Sequence, residues 1–386
     1  MRRVLLTSLV AILAAMVAGC GPAKVTPQSK LDDPGIHVSQ GKRHVARGEL
    51  TQARTEFERA KSLKHDYAPA TAGLALVALV EKDYEKCGKL VDKAKSIDKN
   101  CMDARIVNIR LLSRARPGKS WFLQRADWID RVDSEAKAGL KKDPKNAELN
   151  FYYGLALKRA LRFDDAARHF AATIALKGGE GDFDKDADRE WKLMQKIQRA
   201  KPGTRMGKKV ALVEKVTRAE IAVLFVDEMK LAEVVRNRTP QTFETTEADR
   251  TLTPGVAAKM PSDIGGHWAE SFLKDAVKLG ALEAKPTGLI EPDSPITRGE
   301  FAYLCQNMIV LITQDKSLLT RYIGAAKRFR DVRADDWRAN AITLCATRGI
   351  MTADTISGAF KPDDPITGAD ALIIIRNLKQ NLRLKF

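Results

Sequence analysis

Two phrases in the last third of the chain, SPITRGEF at 294–301 and DPITGADA at 364–371, share Pro-Ile-Thr followed by two residues and an acid. A third version, VTRAEI at 216–221, lies upstream. In each, Thr217, Thr297 or Thr367 precedes Glu220, Glu300 or Asp370 by three positions. That spacing lets the hydroxyl and the carboxylate satisfy free backbone N–H groups at a helix start. Apolar residues then recur at helical spacing: Ile221, Leu224 and Phe225; Phe301, Leu304 and Met308; Leu372 and Ile375. The C-terminal half must therefore fold as repeated, capped helices.

The slot behind the cap varies: Arg218 and Arg298 in two copies, Gly368 in the third. A residue there is expected to face solvent beside exposed N–H groups, where a cation opposes the helix dipole. The arginine reads either as a planar charge held at an anion-binding helix start or as a surface residue paired with a local acid.

The residues upstream bear on that choice. Asp263, Trp268, Gly280, Gly288, Pro292 and Asp293 precede the second cap; Phe329, Asp331, Trp337, Gly349, Gly358, Phe360, Pro362 and Asp363 precede the third. The interval from Trp268 to Arg298 nearly equals that from Trp337 to Gly368. A fainter first copy has Phe183, Asp184 and Trp191, with a slightly shorter interval from Trp191 to Arg218. The combination resembles S-layer homology domains, whose pattern is Phe-x-Asp-Val, Trp-Ala, Gly-Ile, Gly-x-Phe-x-Pro and Thr-Arg-Ala-Glu. The resemblance implies three helix–loop–helix repeats (181–231, 261–312 and 327–381) in a pseudo-threefold arrangement. It also implies noncovalent binding of a cell-wall polymer, either peptidoglycan or an anionic secondary polymer. Arg218 and Arg298 would engage a carboxylate or ketal-linked pyruvate, and Trp268, Trp337 and Trp191 would pack on sugar rings. Gly368 implies at most two competent pockets. Gly299 stands where Ala is usual, and the insertion at 232–260 separates the first two repeats.

A second periodicity governs the middle of the chain. Ala53 and Cys87, Phe57 and Val91, and Ala60 and Ala94 are separated by one common interval, the tetratricopeptide period of about 34 residues. Ala166, Phe170 and Thr173 form a later copy, and the interval from Cys87 to Ala166 is somewhat longer than two such periods. One irregular repeat with a longer loop near 115–120 absorbs the excess. With Gly41 and Gly154 as small helix-A residues and Asp143-Pro144 as a terminator, residues 36–176 resemble the tetratricopeptide family. A generic helical hairpin array would bury the same side chains. Either way the expectation is a curved helical surface that binds an envelope protein.

The first residues suggest a location. Arg2 and Arg3 precede an uncharged run from Val4 to Gly19 that ends at Cys20. The run is shorter than the about 20 residues a membrane-spanning helix needs and fits a signal peptide (1–19). Val17-Ala18-Gly19-Cys20 resembles the lipobox of bacterial lipoproteins, which implies acylation of Cys20 and a tether over 20–35; Gly21, in place of the Asp that retains such lipoproteins at the inner membrane, implies an outer-membrane lipoprotein facing the periplasm. The alternative is a secretory peptide with an incidental Cys. The net charge of +17 points to an anionic partner; export argues against nucleic acid as that partner.

The five histidines, at 37, 44, 65, 169 and 267, show no metal-ligand spacing. His267 adjoins Trp268 and reads either as a ligand contact or as a loop residue with a polar partner. Cys87, Cys101, Cys305 and Cys345 read as buried thiols, although 87–101 and 305–345 bridges are open in an oxidising compartment. The expectation is a mainly α chain, a tetratricopeptide-like helical solenoid (36–180) followed by an S-layer-homology-like module (181–386), with no enzymatic activity, cofactor or metal. It would tether the outer membrane to the wall. The alternative is an assembly scaffold that acts mainly through its helical repeats.

Overall fold

The computed structural model describes residues 27, 29, 32–114, 127–176, 183–238 and 260–384. Cys20 and most of the expected tether lie outside the described residues, as does most of the 232–260 insertion. The described residues are mainly helical and contain no β-strand, only two isolated bridges. The chain divides into two units, Met1–Trp191 and Lys192–Phe386. The division falls inside the helix Phe183–Ala200, past the expected start of the C-terminal repeats at residue 181.

The first unit is built from helix hairpins: α1 (Pro34–Ala46) with α2 (Leu50–Leu63), α3 (Ala68–Val80) with α4 (Tyr84–Ile97), α5 (Met102–Ser113) with α6 (Trp128–Lys142), and α7 (Ala147–Arg159) with α8 (Phe163–Ala175). Side-chain caps start several of them. Asp33 accepts the N–H of Gly35 at 2.8 Å ahead of Pro34, Asp83 accepts Lys86 N–H, and Asn146 accepts Leu149 N–H. Each first helix packs on the first helix of the next hairpin, and each second helix on the first helix that follows it. Helix α3 therefore has neighbours all round and is buried from Ala68 to Leu79 except at Pro69.

The second helices carry the periodic residues inward. Ala53, Phe57 and Ala60, then Cys87, Val91 and Ala94, and finally Ala166, Phe170 and Thr173 are all buried. The irregular third hairpin supplies the missing triad, Val132, Ala136 and Gly139, with the same four-then-three spacing. The first helices begin at 34, 68 and 102 and then at 147, so the excess length lies in the third hairpin, whose connection includes 115–126. Glycines set the depth of packing. A Cβ on Gly41 or Gly73 would come within 2.6 or 2.2 Å of the Phe57 ring, so Phe57 fills the space between α1 and α3, and Gly154 makes the same room for Phe170. The thiols of Cys87 and Cys101 are unbridged and buried, and burial pushes each pKa up to about 11.

The second unit contains the end of α9 (Phe183–Ala200), then α10 (Arg205–Val210), α11 (Arg218–Val223) continuing into a π turn at Leu224–Glu228, α12 (Leu231–Arg238), α13 (Glu270–Lys278), α14 (Arg298–Thr313), α15 (Ala339–Thr347) and α16 (Gly368–Asn381). The residues before the three caps meet in a closed ring. Val216 N–H donates to Ile366 C=O (2.9 Å), Ile366 N–H to Ile296 C=O (3.3 Å), and Ile296 N–H to Val216 C=O (2.9 Å). The pseudo-threefold arrangement that the S-layer homology resemblance implied is thus built from equivalent backbone atoms. Around the ring Val216, Ile296 and Ile366 are buried, with Phe225 stacked on Phe301 at 6.3 Å. Cys305 and Cys345 are buried, unbridged thiols in this core.

Candidate functional site

The ring brings each helix start against the loop of the next repeat. Arg218 and Ala219 donate their N–H groups to Ser294 and Pro292 carbonyls, at 3.1 and 2.9 Å; Arg298 and Gly299 donate theirs to Asp364 and Pro362, at 2.9 and 2.8 Å. Glu300 and Thr297 close a reciprocal capping box, and Glu220 accepts Thr217 N–H at 2.8 Å. The expectation of open, anion-binding N–H groups behind the caps is therefore corrected. Those donors are consumed because each cap docks on a neighbouring repeat.

The arginine side chains follow the same route. Arg298 donates from Nε to Phe360 C=O (3.0 Å) and from Nη2 to Thr352 C=O (2.9 Å), and its guanidinium lies 5.0 Å from the centre of the Phe360 ring. Arg218 makes the equivalent Nη2 contact, to Glu283 C=O at 2.6 Å, but Ile290 stands where Phe360 stands in the other copy. Its buried Nε has no acceptor. Burial lowers the Arg218 pKa against the pull of Glu300, Glu291 and Asp263. Both side chains are partly buried and latch one repeat to the next, so they do not simply face solvent.

Gly368 is explained by what lies opposite it. A Cβ there would sit 1.7 Å from the Val210 carbonyl oxygen, and Gly368 N–H donates to Val213 C=O at 2.8 Å. The backbone that follows α10 occupies the place of an arginine. The shorter Asp370 exchanges hydrogen bonds with the Thr367 hydroxyl and pairs with Lys196 at 3.0 Å. A cavity of about 250 Å³ remains beside this third cap, lined by Lys192, Leu193, Lys196, Leu212, Val213 and Thr367.

The loops ahead of the second and third caps are held alike. The Asp263 carboxylate accepts the N–H groups of Ile290 and Glu291, and Asp331 those of Phe360 and Lys361. Burial works against the charge of each carboxylate, but the backbone donors outweigh it and lower both pKa values. The clamp also holds Glu291 and Lys361 in left-handed conformations, at φ 55° and 58°. Phe183 and Asp184 form no such clamp. They open helix α9, with Phe183 packed on Phe151 and Tyr152 of the first unit. Trp191 is partly buried in α9 and belongs to the first unit. The faint first copy therefore lacks the loop that presents tryptophan in the other two.

Trp268 and Trp337 are 54% and 64% exposed, each at the end of a clamped loop. His267 accepts Ala269 N–H at Nδ1 (3.1 Å), which leaves Nε2 as the donor to Asp293 at 3.2 Å. Trp337 meets Tyr303 edge to face at 5.1 Å. Beside it, Arg338 forks onto Asp336 (2.9 and 2.7 Å) and reaches Asp363 at 2.8 Å. Those hydrogen bonds, Asp336 first, outweigh burial and raise its pKa. Sequence reasoning missed Arg338 and Tyr303. Gly299 was the available signal, since a Cβ there would come within 2.9 Å of the Arg338 side chain. The Ala-to-Gly change in one repeat accommodates the Ala-to-Arg change in the next. Chemically, this surface offers an exposed aromatic face suited to packing on a sugar ring, beside a guanidinium whose charge is met by Asp336 and Asp363.

Residues 262–302 and 328–372 match the S-layer homology domain family. These stretches contain Trp268, Arg298 and Trp337 but not Trp191 or Arg218. The C-terminal region thus carries an S-layer homology domain, which points to association with the cell envelope and its wall polymers. No curated protein matches the chain. Among the described residues no helix is long and apolar enough to cross a membrane, and no cluster of His, Cys, Asp and Glu could hold a metal ion.

Proposed function

We propose that this protein is a non-enzymatic envelope lipoprotein that ties the outer membrane to the cell wall. In this reading, acylated Cys20 provides the lipid anchor. The S-layer homology module binds peptidoglycan or an associated anionic polymer, and the tetratricopeptide-like hairpins recruit another envelope protein. The observation that carries the wall-binding step is the family match, each matched stretch of which presents an exposed tryptophan on a clamped loop. Trp268 and Trp337 are the sugar-packing residues, Arg338 lies against the Trp337 ring while paired with Asp336 and Asp363, and Arg298 sets the geometry of the adjoining loop.

Sedimentation with purified sacculi tests this reading. Trp268→Ala plus Trp337→Ala removes two largely exposed side chains and costs about 0.5–1.5 kcal/mol through the lost Trp337–Tyr303 contact. The wild type is expected to pellet and the double variant to remain in solution while still melting cooperatively as a folded protein. Failure of the wild type to pellet would sink the tether; undiminished pelleting of the variant would move the site elsewhere. One observation favours a scaffold reading in which the C-terminal module serves mainly as an interaction domain: Arg218 and Arg298 already have carbonyl partners. Pull-downs that require residues 34–175 and tolerate loss of 192–384 would favour it.

A further inference from the structure

The connection between the second and third repeats is more rigid, and more apolar on its outside, than a linker requires. Leu318 is buried, whereas Leu319 and Ile323 are 40% and 70% exposed. The turn is held from beneath by buried Asn340, whose amide donates to Gln306 Oε1 (2.5 Å) and Leu318 C=O (2.9 Å) while its Oδ1 accepts Tyr322 N–H (2.7 Å). Two buried polar side chains thus fix a segment that points branched aliphatic residues outward, which gains nothing for the fold.

The charges around this turn are predominantly positive. Lys316, Arg321, Lys327, Arg328 and Arg330 are all exposed. Asp315 is the one acid within the turn, where it accepts the N–H and hydroxyl of Ser317; of the acids that follow, Asp331 clamps the Phe360 loop and Asp335 pairs with Arg333. Lys316, Arg321, Lys327 and Arg330 form no ion pair among the described residues, and Arg328 lies over the Phe329 ring at 5.8 Å while donating to Thr347.

We infer that the turn at 315–330 is a docking surface for an anionic lipid bilayer. Protruding Leu319 and Ile323 would enter the boundary between headgroups and acyl chains, and the surrounding cations would meet lipid phosphates. A hydrated acidic polymer would satisfy the cations but offers the two aliphatic side chains no apolar phase. None of these residues belongs to the wall-binding reading, and the proposal does not depend on it.

The test uses the full chain with vesicles of phosphatidylcholine alone or mixed with phosphatidylglycerol. An environment-sensitive fluorophore at Ile323→Cys reports this turn independently of the N-terminal apolar run. The expected result is a blue shift on the anionic vesicles and little on the neutral ones. Arg321→Glu plus Lys327→Glu should lower the anionic-to-neutral partition ratio by at least roughly thirtyfold, since each cation near such a surface contributes about a factor of five to ten. Leu319→Asp plus Ile323→Asp should lower binding to anionic vesicles while the melting curve is unchanged. No blue shift on anionic vesicles, or equal shifts on both kinds, would overturn the proposal. Binding of soluble acidic polysaccharide that the charge reversals abolish, without vesicle binding, would overturn it in favour of a polymer.

Discussion

Gly368 offers the sharpest test of how the three repeats fit together. If its slot were simply a pocket that had lost its arginine, restoring a side chain would be harmless and Gly368→Arg would add a binding site. The geometry predicts the opposite, beginning with the first added carbon. In Gly368→Ala the Cβ would lie 1.7 Å from the Val210 carbonyl oxygen, a backbone atom that cannot rotate away. Overpacking of this kind costs about 3 kcal/mol, at the upper end of the usual range. Displacing the Val210–Val213 backbone also strains the Gly368 N–H to Val213 hydrogen bond, worth about 1 kcal/mol. The helix propensity of Ala over Gly returns up to about 1 kcal/mol. The net is about 3 kcal/mol, or a fall of roughly 6–12 °C in the melting temperature of a unit of this size. Circular dichroism melts of the wild type, Gly368→Ala and Gly368→Arg measure it, with the arginine variant at least as damaged as the alanine one. An unchanged or raised melting temperature for Gly368→Ala would refute the reasoning, because it would mean that the backbone after α10 does not close the third slot.

Three further outcomes follow from named contacts. Arg298→Ala removes two hydrogen bonds to carbonyls and a cation–π contact, whereas Arg218→Ala removes one hydrogen bond. The first should therefore lower the melting temperature more, by about 2–3 kcal/mol of stability without any ligand; equal losses would contradict the latch. Phe57→Ala should cost about 4 kcal/mol, because the ring fills the space between Gly41 and Gly73, and denaturant unfolding of the first unit measures it. His37 is hydrogen-bonded to Glu56 and Asp32; burial opposes its charge, but the two carboxylates outweigh it and raise its pKa above 6.5. The folded state then holds the proton more tightly than the unfolded chain, so this contribution is complete below about pH 6.5 and is lost as pH rises through the higher folded value. NMR titration of the ring should show the raised midpoint, and His37→Gln should flatten that part of the stability–pH curve.

Helix starts and hairpin periods were legible because each depends on local residue type or on repetition, whereas the threefold relation came only from the family resemblance. Thr297 with Glu300 closes its capping box, and Ala53, Phe57 and Ala60 are buried as their spacing requires. The third hairpin was harder to see, because Val132, Ala136 and Gly139 keep the internal spacing with different residues and fall out of step with Cys87, Val91 and Ala94. Phe183, Asp184 and Trp191 show the converse: residue types that match a pattern, placed in a continuous helix where the loop they imply does not form.

What could not be read locally is what stands opposite each helix start. A free N–H at a cap is a sound inference for an isolated helix, yet Arg218, Ala219, Arg298 and Gly299 all donate to carbonyls supplied by the following repeat. Those partners become visible only once the backbone ring at Val216, Ile296 and Ile366 is closed. Departures from the family pattern proved the better guide to tertiary contacts. Gly368 is glycine because a neighbouring backbone approaches it, and Gly299 is glycine because Arg338 does. Each missing side chain marked a place where another repeat arrives, so pairing such departures across repeats would have placed Arg338 against Gly299, at the start of the preceding repeat's capped helix, from the sequence itself.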